Sequence, residues 1–160
     1  MTTPEIHPEI AHLAWLLGTW AGEGAGEYPT IEDFRYSEHV TFAHVGKPFF
    51  AYNQKTKHEE TGLPLHAEAG YLRPVGLDRV ELLNVQPSGI MEIYEGTVDG
   101  TTLDLVAVQV ATSATAKDVT EVTRRITVDP EGETLSYRMQ MAAVGEPLQH
   151  HLAATLHKQQ

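Results

Sequence analysis

With nine histidines and no cysteine in 160 residues, imidazole is the side chain in this chain best suited to bind a transition metal. The absence of cysteine removes disulfides, thiol nucleophiles, thiolate-bound zinc and iron–sulfur clusters. Two adjacent imidazoles stand near the carboxyl end, in Gln149-His150-His151-Leu152-Ala153-Ala154-Thr155-Leu156-His157. In a pleated strand His151 shares one face with Ala153 and Thr155, and His150 shares the other with Leu152, Ala154 and Leu156. Hydrophobicity turns the leucines inward and takes His150 with them. A bulky planar ligand would instead prefer the small residues beside His151, leaving the leucines to pack under a helix or a second subunit. A histidine pair simply solvated at a strand end explains the same residues without any ligand.

Phe42, His44, Leu65, His66, Met139 and Met141 are candidate pocket liners. Met139 and Met141 share a strand face with Leu135 and Tyr137, and methionine packs adaptably against flat aromatic systems, as it also does in ordinary cores. His44 and His66 read more simply as hydrogen-bonded core or rim residues than as ligands. There is no Ser/His/Asp order, carboxylate pair, His-Glu-x-x-His helix or P-loop, so protease, glycosidase and kinase chemistry lack support.

These residues sit in a sequence that is strand-like for nearly its whole length. Period-two patterns rich in β-branched and aromatic residues cover 19–24, 34–45, 48–57, 65–73, 79–85, 90–95, 103–110, 119–128, 134–142 and 149–157. Turn chemistry separates them, as at Pro87-Ser88-Gly89, Asp99-Gly100 and Gly145-Glu146-Pro147. Pro4 and Pro8 mark helix starts, and Ile10, Leu13, Ala14, Leu16 and Leu17 form one apolar stripe ended by Gly18, which predicts a short lid or plug helix. The fold class predicted is all-β: an antiparallel up-and-down barrel of about ten strands with a short N-terminal helix, with a two-sheet sandwich as the alternative. A barrel of that size is too wide for side chains alone to fill readily, so it should hold a cavity. In Gly18-Thr19-Trp20-Ala21-Gly22-Glu23-Gly24 the alternate glycines suit strand bending and close backbone approach, with Trp20 as an anchor at the barrel end.

The length suits a single domain over 1–160. With 11 Lys+Arg against 22 Asp+Glu the formal net charge is −11. Such a chain repels the phosphate backbone and anionic lipid, so nucleic acid and membrane surfaces are poor partners. No apolar run is long enough to span a bilayer and no cationic segment precedes an apolar stretch, which predicts a cytoplasmic protein.

The glycine–tryptophan segment, Tyr28-Pro29-Thr30-Ile31, Ala43-His44-Val45-Gly46-Lys47-Pro48, Pro64-Leu65-His66, Pro87-Ser88-Gly89-Ile90, Ala116-Lys117-Asp118-Val119 and Gly145-Glu146-Pro147-Leu148-Gln149-His150-His151-Leu152 together make the chain resemble the nitrobindins. These are haem-binding β-barrels distantly like fatty-acid-binding proteins, and the similarity looks closest to the mycobacterial and actinobacterial members. The resemblance implies one haem b per subunit with His151 as the proximal ligand and His150 as the competing imidazole. It places Thr30, Leu65, His66 and Met141 about the haem pocket and Lys117 near a propionate, with no catalytic group beyond the iron. It further implies isomerisation of peroxynitrite to nitrate by the ferric protein, nitric oxide binding by the ferrous form, and a homodimer, for which an outward leucine face on the last strand offers a surface. Two alternatives remain: a noncatalytic nitric-oxide sensor or carrier using the same haem, and a fatty-acid or lipid carrier without it. The lipid carrier needs a cavity-directed cation such as Arg73, Arg125 or Arg138.

Overall fold

The computed structural model describes residues 2–160. Its ten strands are β1 (Gly18–Tyr28), β2 (Ile31–Ala43), β3 (Phe50–His58), β4 (Pro64–Val75), β5 (Arg79–Gln86), β6 (Ile90–Asp99), β7 (Thr102–Thr112), β8 (Val119–Val128), β9 (Thr134–Ala143) and β10 (Gln149–Lys158). Each pairs antiparallel with its neighbours in sequence, and β1 also pairs with β10, so the sheet closes into a barrel with no free edge. Burial alternates along the strands, as in β6, where Ile90, Glu92, Tyr94 and Gly96 are buried while the residues between them are exposed. This alternation puts one apolar-rich set inside the barrel and rules out the sandwich.

The N-terminal segment forms a 3₁₀ helix, Pro8–Leu16, rather than the α-helix its stripe suggested. With three residues per turn, Ile10, Leu13 and Leu16 fall on one line and are fully buried, whereas Ala14, in register only for an α-helix, is exposed. Trp20 fixes this plug to the barrel: its buried indole N–H donates to the Leu16 carbonyl at 2.9 Å, and the Lys158 ammonium lies 5.2 Å from the ring centroid.

Two glycines of β1 work by leaving out a side chain. A Cβ on Gly22 would stand 2.2 Å from the Thr155 carbonyl oxygen of β10, and one on Gly24 would stand 2.4 Å from the Tyr36 ring. Seam closure therefore needs the first, and the inward lie of Tyr36 needs the second. Because the meander alternates direction, the plug and the β2–β3 turn occupy one end. The β1–β2, β3–β4, β5–β6, β7–β8 and β9–β10 loops rim the other end, which is open.

Candidate functional site

The last strand solves the conflict between its histidines and leucines with one extra residue. β10 pairs with β9 as Gln149↔Met141, His150↔Gln140 and then Leu152↔Met139, leaving His151 without a partner. That bulge resets the alternation. His151 and Leu152 both line the cavity, Ala154 and Leu156 continue inward, and His150 lies outside in a surface depression with Glu27 and Asp33. The outward leucine face expected from simple pleating does not exist: Leu156 is fully buried.

The His151 ring is held from two sides. Its Nδ1–H donates to the Glu27 carbonyl at 3.0 Å, since a carbonyl can only accept, which leaves the Nε2 lone pair free. The Tyr28 ring meets the imidazole edge-on, with centroids 5.3 Å apart. Tyr28 is itself pinned, accepting the Ala143 N–H at 2.8 Å and lying 3.1 Å from the Met141 carbonyl oxygen to which it donates. Burial lowers the His151 pKa below 6.5 against the opposing bond to Glu27, with His150 and His66 nearby adding to the lowering, so the ring is neutral at pH 7. In the adjoining turn Val144 has φ 49°, a strained value for a β-branched residue, and its N–H is anchored on the Asp118 carbonyl at 2.8 Å.

The cavity has a volume of about 570 Å³, within the range of about 300–1,000 Å³ typical of small-molecule sites. Thr30, Leu65, His66, Lys117, Met141 and His151 all line it, as do Phe42 and Met139. His44 does not; it sits at the plugged end, where its Nδ1 accepts the Gly46 N–H at 3.2 Å.

Below the mouth the barrel interior carries a charged network that the sequence reading missed. Arg124 grips Glu68 bidentately at 2.6 and 2.7 Å, lies 3.4 Å from Glu92, and donates from Nε to the Tyr94 hydroxyl at 2.9 Å. Tyr52 donates to Glu68 at 2.8 Å, and His66 Nε2 lies 3.3 Å from the same carboxylate. Burial alone would push Glu68 up, but the Arg124 charge and its hydrogen bonds hold that carboxyl well below its ordinary value. Glu38 differs in having no such partner. It accepts from Tyr137 at 2.6 Å, Tyr36 lies 2.7 Å from the Tyr137 hydroxyl, and burial pushes Glu38 up to about 7. The signal was present in the strand period: Val122, Arg124 and Val128 share the buried face of β8, and Tyr36, Glu38, Val40 and Phe42 that of β2. Among the described residues the buried cation directed into the cavity is therefore Arg124, with Lys117 exposed at the rim. Arg73, Arg125 and Arg138 face outward, the first two beside Glu81 at 3.7 Å and Asp104 at 3.2 Å. A fatty-acid carboxylate would have to displace Glu68 to reach Arg124.

Among the described residues no group of three or more His, Cys, Asp or Glu side chains is placed to hold a bare metal ion. One neutral imidazole with a free Nε2, at the mouth of a largely apolar cavity, fits instead an iron that brings its own equatorial ligands, as haem does. Residues 9–158 match the family model described as THAP4-like, heme-binding beta-barrel domain. The chain belongs to this family, the nitrobindins. Nitrobindins similar to it include peroxynitrite isomerase 2 of Mycobacterium avium (strain 104), 52% identical over 97% of this chain and 98% of the relative. The peroxynitrite isomerase of Nocardia farcinica (strain IFM 10152) is 50% identical over 96% of this chain and 92% of the relative. The crystal structure of Rv2717c from M. tuberculosis superimposes with a TM-score of 0.91 at 48% identity, covering 98% of this chain and all of that one. No helix among the described residues is long and apolar enough to cross a membrane.

Proposed function

We propose that this nitrobindin binds haem b, one per chain, and isomerises peroxynitrite to nitrate, binding nitric oxide when reduced. The observation that carries the reading is the His151 bulge: an inward, neutral imidazole whose Nδ1–H is committed to Glu27 and whose Nε2 is free. Names and identities of the relatives agree with it. Bound ferric haem would supply a Lewis-acidic iron for the anionic oxidant. The chain's part is positional. His151 would hold the iron, with Glu27 and Tyr28 setting the tautomer and tilt of its ring. Thr30, Leu65 and Met141 present the cavity wall, and Lys117, exposed at the rim, would offer its ammonium to a propionate. Glu68 accepts a hydrogen bond from His66 Nε2–H at 3.3 Å, and a nitrogen that carries a proton has no lone pair with which to serve as a second ligand to an iron.

Stopped-flow decay of peroxynitrite over the hemin-loaded chain tests the activity: acceleration beyond that of free hemin is expected, and none would leave only the nitric-oxide carrier reading. We also propose a cytoplasmic homodimer. Its support comes not from β10 but from the outer face of β4–β6, where exposed Tyr71, Val85, Met91 and Ile93 lie on neighbouring strands through the pairs Tyr71↔Leu83, Leu83↔Ile93 and Val85↔Met91. Light scattering should report a dimer that Met91→Glu dissociates; a monomer at all concentrations refutes it.

A further inference from the structure

The barrel floor is unbalanced in charge and in hydrogen bonding. Among the described residues the buried charged side chains are three carboxylates, Glu38, Glu68 and Glu92, against one guanidinium, Arg124. Arg124 is committed to Glu68 and Glu92, and Glu38 is left with a hydroxyl donor, Tyr137, backed by Tyr36, while Gln54 stands diagonally across from it, since Glu38 pairs with Thr56 and Val40 with Gln54. Gln54 is 5% exposed and lines the same cavity, yet its Oε1 has no hydrogen-bond partner. An orphaned buried acceptor is unfavourable, and here it stands beside a carboxylate with no cation of its own. What both lack is a donor carrying positive charge. Between them and the mouth the inward wall is apolar, formed by Phe34, Met139 and Leu152.

We propose that the floor of the barrel is a binding site for a small primary ammonium on a short apolar body, its N–H groups donating to Glu38 and to Gln54 Oε1. The ammonium supplies the missing donor and the missing charge together, and its alkyl part lies along the apolar wall toward the mouth. A carboxylate of equal length meets Glu38 as a like charge and finds the Arg124 fork already filled. The site is several inward positions deeper than His151, since Glu38 pairs with Gly22 and Gly22 with Leu156. It goes beyond the haem reading and does not rest on it.

The test is a calorimetric and NMR titration of the full chain, before hemin is added, with hexylammonium, hexanoate and hexanol at about pH 8, where the ammonium is charged. Hexylammonium should bind saturably, shift the Gln54 side-chain amide, and bind at least about tenfold more tightly than either analogue, the factor set by one charge-assisted hydrogen bond. Glu38→Gln should weaken it about tenfold and Gln54→Leu severalfold; because Gln54→Leu removes no charge, it keeps the test alive if the first variant fails to fold. Non-saturable binding, equal affinity for hexanol or hexanoate, or folded variants that bind like the parent would each overturn the proposal. Loss of haem binding would show separately, as a missing Soret band.

Discussion

Replacing Glu38 by glutamine should flatten the stability of the barrel between weakly acidic and weakly alkaline pH. The Glu38 carboxyl titrates at about 7 in the folded chain against an ordinary 4.5, because burial opposes its charged form. A folded-state value above the unfolded one means that the unfolded chain gives up its proton first. The native state is therefore favoured at low pH and loses that advantage as pH rises from about 4.5 through about 7. At about 1.4 kcal/mol per pH unit the displacement amounts to on the order of 3 kcal/mol. Two other groups need accounting. Glu68, whose carboxyl lies well below its ordinary value, contributes stability that is lost only as pH falls below about 4.5, outside this window. His151, lowered below 6.5, works in the opposite sense to Glu38, but it is the same in both proteins and cancels in the difference. Urea denaturation at about pH 5 and about pH 8 measures the effect. Glu38→Gln should gain on the parent by on the order of 3 kcal/mol across that interval. Parallel pH profiles for the two proteins would show that Glu38 is not a buried acid without a cationic partner and would refute the reasoning.

Arg124→Met should destabilise the fold by about 3–5 kcal/mol, because it strands Glu68 and Glu92 in the interior; adding Glu68→Leu should recover part of the loss in chemical denaturation, and additive losses would contradict the pairing. Tyr28→Phe removes the acceptor of the Ala143 N–H and should cost about 1–3 kcal/mol of stability. It should also loosen haem retention severalfold, read from hemin transfer to apomyoglobin, because the ring that steadies His151 loses its own anchor; unchanged transfer would remove Tyr28 from that role.

The barrel was legible in the sequence because a period of two survives every local exception over ten strands, and turn residues mark each reversal. The helix type was not, since Ile10, Leu13 and Leu16 fit both three and 3.6 residues per turn, and only the buried stripe tells them apart. On β10 the same period misled. No residue in Gln149-His150-His151-Leu152 announces a bulge, and without it one must choose between inward leucines and an inward His151. The resemblance selected His151, and the bulge shows how the leucines are accommodated as well. The charged floor was overlooked for another reason: an arginine and three glutamates at inward positions look like exposed polar residues until their partners, which come from strands far apart in the chain, are brought together.

The inward imidazole is tested most directly by titrating hemin into the parent chain, His151→Ala and His150→Ala and following the Soret band. The parent and His150→Ala should saturate at one haem per chain. His151→Ala should lose or greatly weaken binding while keeping a β-sheet circular dichroism spectrum, because strand pairing rather than iron sets the fold. Undiminished binding by His151→Ala, or its loss in His150→Ala alone, would contradict the account.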